Sequence, residues 1–193
     1  MEKDLEQLFR VVSAVSPLSD EDWEHFSKIW QPFKARRKEL LTHAGERENF
    51  LYFVTEGVQR VYYLDDEGRE ATLVFTYAPS FGGVLDALML NSTSRYYYEA
   101  LTPSKFLRTT AETLRVAMLH PGIEQMVLKG LSGALSGVME RLVELQCFSS
   151  EEKFKSLLKR SPHVLTLIPH KYLANYIGID ATNFSKLINS IRL

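Results

Sequence analysis

With 193 residues, 45% of them hydrophobic, the chain has room for one large or two small domains around a packed core. No apolar run approaches the roughly 18 residues needed to cross a bilayer, and the acidic start Met1-Glu-Lys-Asp-Leu is unlike a signal peptide, so a soluble, cytoplasmic protein is expected. The single cysteine, Cys147, excludes a disulfide framework and any cysteine-held zinc or iron–sulfur centre, and its helical surroundings predict a buried thiol.

Residues 2–15 carry Leu5, Leu8, Phe9, Val12 and Val15 at helical spacing. Ser19 to Asp22 resembles a capping box that opens a second helix with Trp23, Phe26, Ile29 and Trp30 inward. Arg36-Arg37-Lys38 reads as a solvated charge run between elements. From about Glu39 to Thr110 the pattern changes to short runs rich in β-branched and aromatic residues. They begin at Glu39, Phe50, Gly57, Glu70, Tyr97 and Lys105, and turns are expected at Gly45, Gly57, Asp65 to Gly68 and Pro79. Six or more strands at that spacing predict an antiparallel sandwich or roll. Gly82-Gly83 interrupts them ahead of a short helix. The pair either presents free N–H groups as an anion seat or only turns a corner of the roll.

After Pro121, the residues Val127, Leu131, Ala134, Val138, Leu142 and Leu145 step by threes and fours, a coiled-coil-like stripe. Gly130, Gly133 and Gly137 share that helix although each costs about 1 kcal/mol of propensity against alanine, which suggests that another backbone approaches closely. The alternative is a helix buried within its own domain. Ser149-Ser-Glu-Glu152 is a second capping box, opening a basic helix with Phe154, Leu157 and Leu158 inward.

The last segment reads as two helices and a tight turn. Tyr172, Leu173, Tyr176 and Ile177 follow Pro169, Gly178 stops the first helix, and Asp180 caps a second whose apolar stripe is Phe184, Leu187, Ile188 and Ile191. Ala174 is small where the helices cross. Thr182, Asn183, Ser185, Lys186 and Asn189 are the expected outward residues of a DNA-reading helix; the competing reading is an ordinary helical hairpin. Residues 151–193 hold seven basic residues, Lys171 among them, against three acidic ones, a net of +4. The chain is −1 overall, so residues 1–150 hold −5, and such a basic tail suits a module that meets phosphates.

This order of elements resembles the Crp/Fnr family of bacterial transcriptional regulators over nearly the whole chain. The resemblance is carried by Leu40 to Gly45, Leu51 to Gly57, Asp66-Glu-Gly68, Ser80-Phe-Gly-Gly83, Glu99-Ala-Leu101 and Pro169 to Ile179. It implies an α+β chain: an N-terminal antiparallel β-roll (a double-stranded β-helix like the cyclic-nucleotide-binding domain), a long dimerisation helix, and a C-terminal helix-turn-helix. Ser161 to Ile168 looks short for the family's two-stranded wing, so that wing is expected to be reduced or absent. The implied divisions are 1–120 for effector sensing, 121–148 for dimerisation and 149–193 for DNA binding. The implied partners are double-stranded DNA, a second copy and RNA polymerase, with no membrane, no required cofactor and no catalysis.

The resemblance also sets an effector seat on Gly82, Gly83 and Val84, and on Ser94-Arg95 or, shifted by one, Arg95-Tyr96. Members that bind cyclic AMP have a glutamate where Val84 stands, so the ribose hydroxyl lacks its partner. A small anionic effector is one reading and no effector the other; tight cyclic AMP binding is not expected. At least one of Tyr96, Tyr97 and Tyr98 should point into the roll and fill it. Ala181 and Thr182 replace the arginine and glutamate of the best-known recognition helices, while Lys186 aligns with a later arginine and can still meet guanine or phosphate. A cupin-like metal enzyme is disfavoured because the histidines, His25, His43, His120, His163 and His170, are scattered.

Overall fold

Between Gln31 and Thr110 the β-branched and aromatic runs pair into two antiparallel sheets that enclose a roll. The structure, a computed structural model, describes residues 1–190. In chain order the elements are α1 (Glu2–Val15), α2 (Asp20–Lys28), β1 (Gln31–Ala35), β2 (Leu40–Thr42), β3 (Phe50–Glu56), β4 (Val58–Leu64), β5 (Glu70–Tyr77) and β6 (Ser80–Gly82). There follow α3 (Leu85–Leu90), β7 (Tyr97–Ala100), β8 (Ser104–Thr110), α4 (Ala111–Ala117), α5 (Pro121–Cys147), α6 (Ser150–Arg160), α7 (Val164–Leu167), α8 (His170–Tyr176) and α9 (Ala181–Ser190). One sheet has the order β1-β8-β3-β6 and the other β2-β7-β4-β5. The expected architecture of roll, long helix and C-terminal helices is therefore present. Strands β1 and β6 and helix α4 add to the elements expected from sequence, and Trp30, expected inside the second helix, follows its end and is still buried.

Three cores hold these layers. Leu8, Val12, Phe26, Ile123 and Met126 pack the flanking helices on Phe53 and Leu107 of the first sheet. Tyr52, Val54, Val61, Tyr98 and Phe106 fill the roll from both sheets. Phe154, Leu158, Leu173, Ile177 and Phe184 join the C-terminal helices, and that cluster continues onto Val58, Leu101, Phe75 and Tyr77 of the roll. The C-terminal unit thus rests on β4 and β5 instead of hanging from α5 alone.

Local chemistry sets the C-terminal boundaries. Ser149 and Glu152 make the reciprocal capping box at the start of α6. Gly178, at φ +67°, ends α8 in a Schellman turn, with Ile179 N donating to Ala174 O and Gly178 N to Asn175 O. Asp180 then caps α9 by accepting from Asn183 N at 2.8 Å. Ala174, 2% exposed, sits where these helices cross. In the stretch expected to be short for a wing, the short helix α7 buries Val164, and no strand follows Thr110 among the described residues. Ile191 of the expected α9 stripe, with Arg192, lies outside the described residues. Cys147, at the last position of α5, is exposed, not buried as expected.

Candidate functional site

The effector seat expected around Gly82 and Gly83 is occupied by the chain's own side chains. Gly82 ends β6, and a Cβ built there would collide with the Tyr98 hydroxyl. Tyr98, fully buried, is the tyrosine of the Tyr96-Tyr97-Tyr98 run that turns into the roll; its Oη shares a 2.9 Å hydrogen bond with Thr76 Oγ1, and its ring lies 5.6 Å from that of Tyr52. Gly83 has φ +118°, a conformation that favours glycine, and so directs the next amide inward.

That amide is already bonded. Val84 N donates to Glu48 Oε2 at 3.0 Å; the same oxygen accepts from Thr42 Oγ1 at 2.6 Å, and Glu48 Oε1 accepts from Phe50 N at 3.2 Å. Glu48 is only 4% exposed. Burial pushes its carboxyl above the ordinary range, while the bonds from Thr42, Val84 and Phe50 pull it back. The Val84 amide is therefore bonded to a carboxyl group supplied from 36 residues upstream. Sequence reasoning missed it, because Glu48 sits in the charged turn Gly45-Glu-Arg-Glu48 with no local pattern to mark it.

The other expected effector residues do not converge there. Ser94 is buried, but its hydroxyl closes its own loop, donating to Tyr96 O and accepting from Tyr96 N. Arg95 points to solvent, and Val84 is buried in the core of the roll.

On the C-terminal unit, α9 is amphipathic. Phe184 is buried against Phe154 and His170, whereas Thr182, Ser185, Lys186 and Asn189 are exposed. Asn183 departs from the expected outward set: it is half-buried, and its amide donates to Ser150 Oγ at 3.3 Å because that side of α9 faces the start of α6. Lys171 is exposed at the start of α8, its Nζ 4.6 Å above the Tyr172 ring.

Along α5, Val138, Leu142 and Leu145 are exposed, as are Leu128 and Leu135. Together with half-buried Leu131 they form the unbroken heptad stripe 128-131-135-138-142-145. Of the expected stripe, Val127 instead packs on the N-terminal core, and Ala134 lies beside the leucine row. Gly130, Gly133 and Gly137 fall on the side of the helix away from the stripe, by about 100° of rotation per residue, with open space around each.

Residues 32–120 match the cyclic nucleotide-binding domain family. Together with the long helix and the C-terminal helices, this match gives the chain a fold similar to that of Crp/Fnr regulators. Two curated relatives are similar over most of the chain. The chain is 24% identical over 169 residues to the "Global nitrogen regulator" of Nostoc sp., covering 81% of this chain and 76% of that one. It is likewise 24% identical over 205 aligned positions to the protein of that name in Synechococcus elongatus, covering 99% and 87%. Among solved structures it is similar to FixK2 from Bradyrhizobium japonicum, with a TM-score of 0.75 and 16% identity over 83% of each chain. Among the described residues, no helix is long and apolar enough to cross a membrane, and no group of three His, Cys, Asp or Glu is placed to hold a metal ion.

Proposed function

We propose that two copies pair along the exposed stripe of α5 and that the dimer regulates transcription by reading double-stranded DNA with α9, without catalysis. One observation carries this reading: a short helix, capped by Asp180 and locked by the turn at Gly178, turns the polar side chains of Thr182, Ser185, Lys186 and Asn189 outward. The net +4 of residues 151–193 supports it electrostatically. The name of the curated relatives supports a regulatory role. Residues 1–120, 121–148 and 149–193 then serve sensing, pairing and reading, and RNA polymerase is the partner of such a regulator at a promoter. The phosphate cassette is degenerate: Glu48 and Tyr98 occupy the space and the amide that a cyclic phosphate needs, so the roll answers to another effector or to none.

Duplex binding across a salt series tests the reading. Log K should fall steeply with log salt. Lys186→Ala should relax base preference, and Lys171→Ala should weaken all sequences alike and reduce the salt slope by about 1. A shallow slope with no preferred duplex would favour a module that acts through a protein partner.

A further inference from the structure

β5 is the outer strand of its sheet, so the amide and carbonyl on its free side need partners from elsewhere. At this edge a helix supplies them. Asn175 of α8 accepts from Thr72 N at 2.6 Å and donates to Glu70 O at 2.7 Å, reproducing with one carboxamide the pair of bonds that a neighbouring strand would make. One helical turn away, the Tyr172 ring lies 4.1 Å from the Arg60 guanidinium, which also lies over the Tyr62 ring at 4.0 Å. Arg60 is 4% exposed. It holds Glu70 through both terminal nitrogens, at 2.6 and 3.0 Å, and Glu99 of β7 through Nε at 2.9 Å. Tyr176 completes the face, packing on Phe75 at 5.1 Å and beneath Arg141 of α5 at 3.9 Å.

Positions 172, 175 and 176 form one side of α8, and all three meet the roll or α5. The outward residues of α9 lie outside these contacts and stay exposed. Apolar packing alone would hold the C-terminal unit on the roll without fixing where it sits, because that attraction is non-directional. The amide bonds and the guanidinium sandwich are directional and select one orientation.

We infer that Asn175 and Tyr172 are positioning residues for the reader helix. They seat α8 on β5, the turn at Gly178 carries that orientation to α9, and the roll thereby sets the separation and twist of the two α9 helices in a dimer. The inference rests on the DNA-reading dimer proposed above. It also gives the roll a route to the reader: Glu99 follows Tyr98 on β7, so a shift of that strand moves Arg60 and, through it, Tyr172.

The test uses the full chain and a duplex recovered by the wild type from random-sequence DNA, with its central spacer lengthened or shortened by one base pair. Each such change turns one half-site by about 35° relative to the other. The wild type should lose about tenfold or more in affinity, whereas Asn175→Ala and Tyr172→Ala should bind the altered spacers within about threefold of the original and keep the base preference of each half-site. Equal losses at every spacing, with the spacing ratio unchanged, would reduce both residues to structural support and overturn the inference.

Asn175→Asp guards against misfolding as the cause. It still accepts from Thr72 N but cannot donate to Glu70 O, and it should behave like Asn175→Ala in the spacing series. Amide hydrogen exchange decides the contact without DNA: Thr72 should be protected in the wild type and fast in Asn175→Ala, with β3 and β8 unchanged. A Thr72 amide that exchanges freely in the wild type overturns the contact itself. Should the wild type recover no duplex, the DNA reading and the positioning role fall together, and exchange still shows whether α8 is held on β5.

Discussion

At Gly82 the missing side chain is what admits Tyr98. Because the colliding atom is the tyrosine hydroxyl, the two positions should be coupled. Gly82→Ala should destabilise by about 1–3 kcal/mol through overpacking, Tyr98→Phe by about 1 kcal/mol through loss of the bond to Thr76, and the double variant by less than their sum. Denaturant unfolding of the four proteins measures that coupling, and strict additivity would place the tyrosine elsewhere. Glu48 makes a second residue-scale prediction. Its folded pKa lies above the ordinary 4.5, so the folded chain binds more protons than the unfolded chain between those two values, and the contribution of Glu48 to stability falls as the pH rises through that window. Subtracting the unfolding free energy of Glu48→Gln from that of the wild type isolates this contribution. The difference should decrease with rising pH, and an increase would mean that the hydrogen bonds outweigh burial. The sequence marks the glycines of this seat because their backbone role is local, but it does not mark the carboxylate, which reaches them only through the pairing of distant strands.

Along α5, the sequence shows an apolar repeat clearly and its register poorly. Val127 fits either of two faces by spacing alone, and only the packing of α1 on α5 assigns it to the core, moving the stripe to Leu128 and Leu135. The same kind of ambiguity hid β1: proline and lysine in Gln31–Ala35 weaken its strand pattern, yet it pairs residue by residue with β8 from Gln31 to Ala35. By contrast, the capping box at Ser149 and the turn at Gly178 were legible because their chemistry is confined to a few consecutive residues. The register predicts how α5 variants divide. Leu135→Glu should abolish self-association in sedimentation experiments while leaving the unfolding of the monomer nearly unchanged, since Leu135 is 63% exposed. Ile123→Ala, fully buried, should instead cost about 2–5 kcal/mol of stability. Gly137→Ala, with open space around it and on the side away from the stripe, should gain up to about 1 kcal/mol without weakening the dimer. A dimer weakened by Gly137→Ala would return the glycines to the interface.

For the whole molecule, the question is what could move the C-terminal unit, given a roll whose centre is already filled. Seating a cyclic phosphate at Val84 N requires the Glu48 carboxylate to leave, which strands its bonds from Thr42, Val84 and Phe50, and requires Tyr98 to give up its bond to Thr76. Each buried group left unpaired costs about 1–3 kcal/mol. Two such losses, about 4 kcal/mol in all, turn a micromolar site of about −8 kcal/mol into a millimolar one of about −4 kcal/mol. Arg95 does not offset that cost from its solvent-facing position. Calorimetric titration of nucleotide-free protein with cyclic AMP should therefore give no saturable heat below the millimolar range, and Tyr98→Ala alone should not restore binding, because Glu48 still holds the amide. Micromolar binding by the wild type would require Glu48 and Tyr98 to swing out together. The strand that carries Tyr98 also carries Glu99, so such a displacement would reach Arg60 and disturb the seating of α8, and the titration would then have to coincide with a change in duplex affinity.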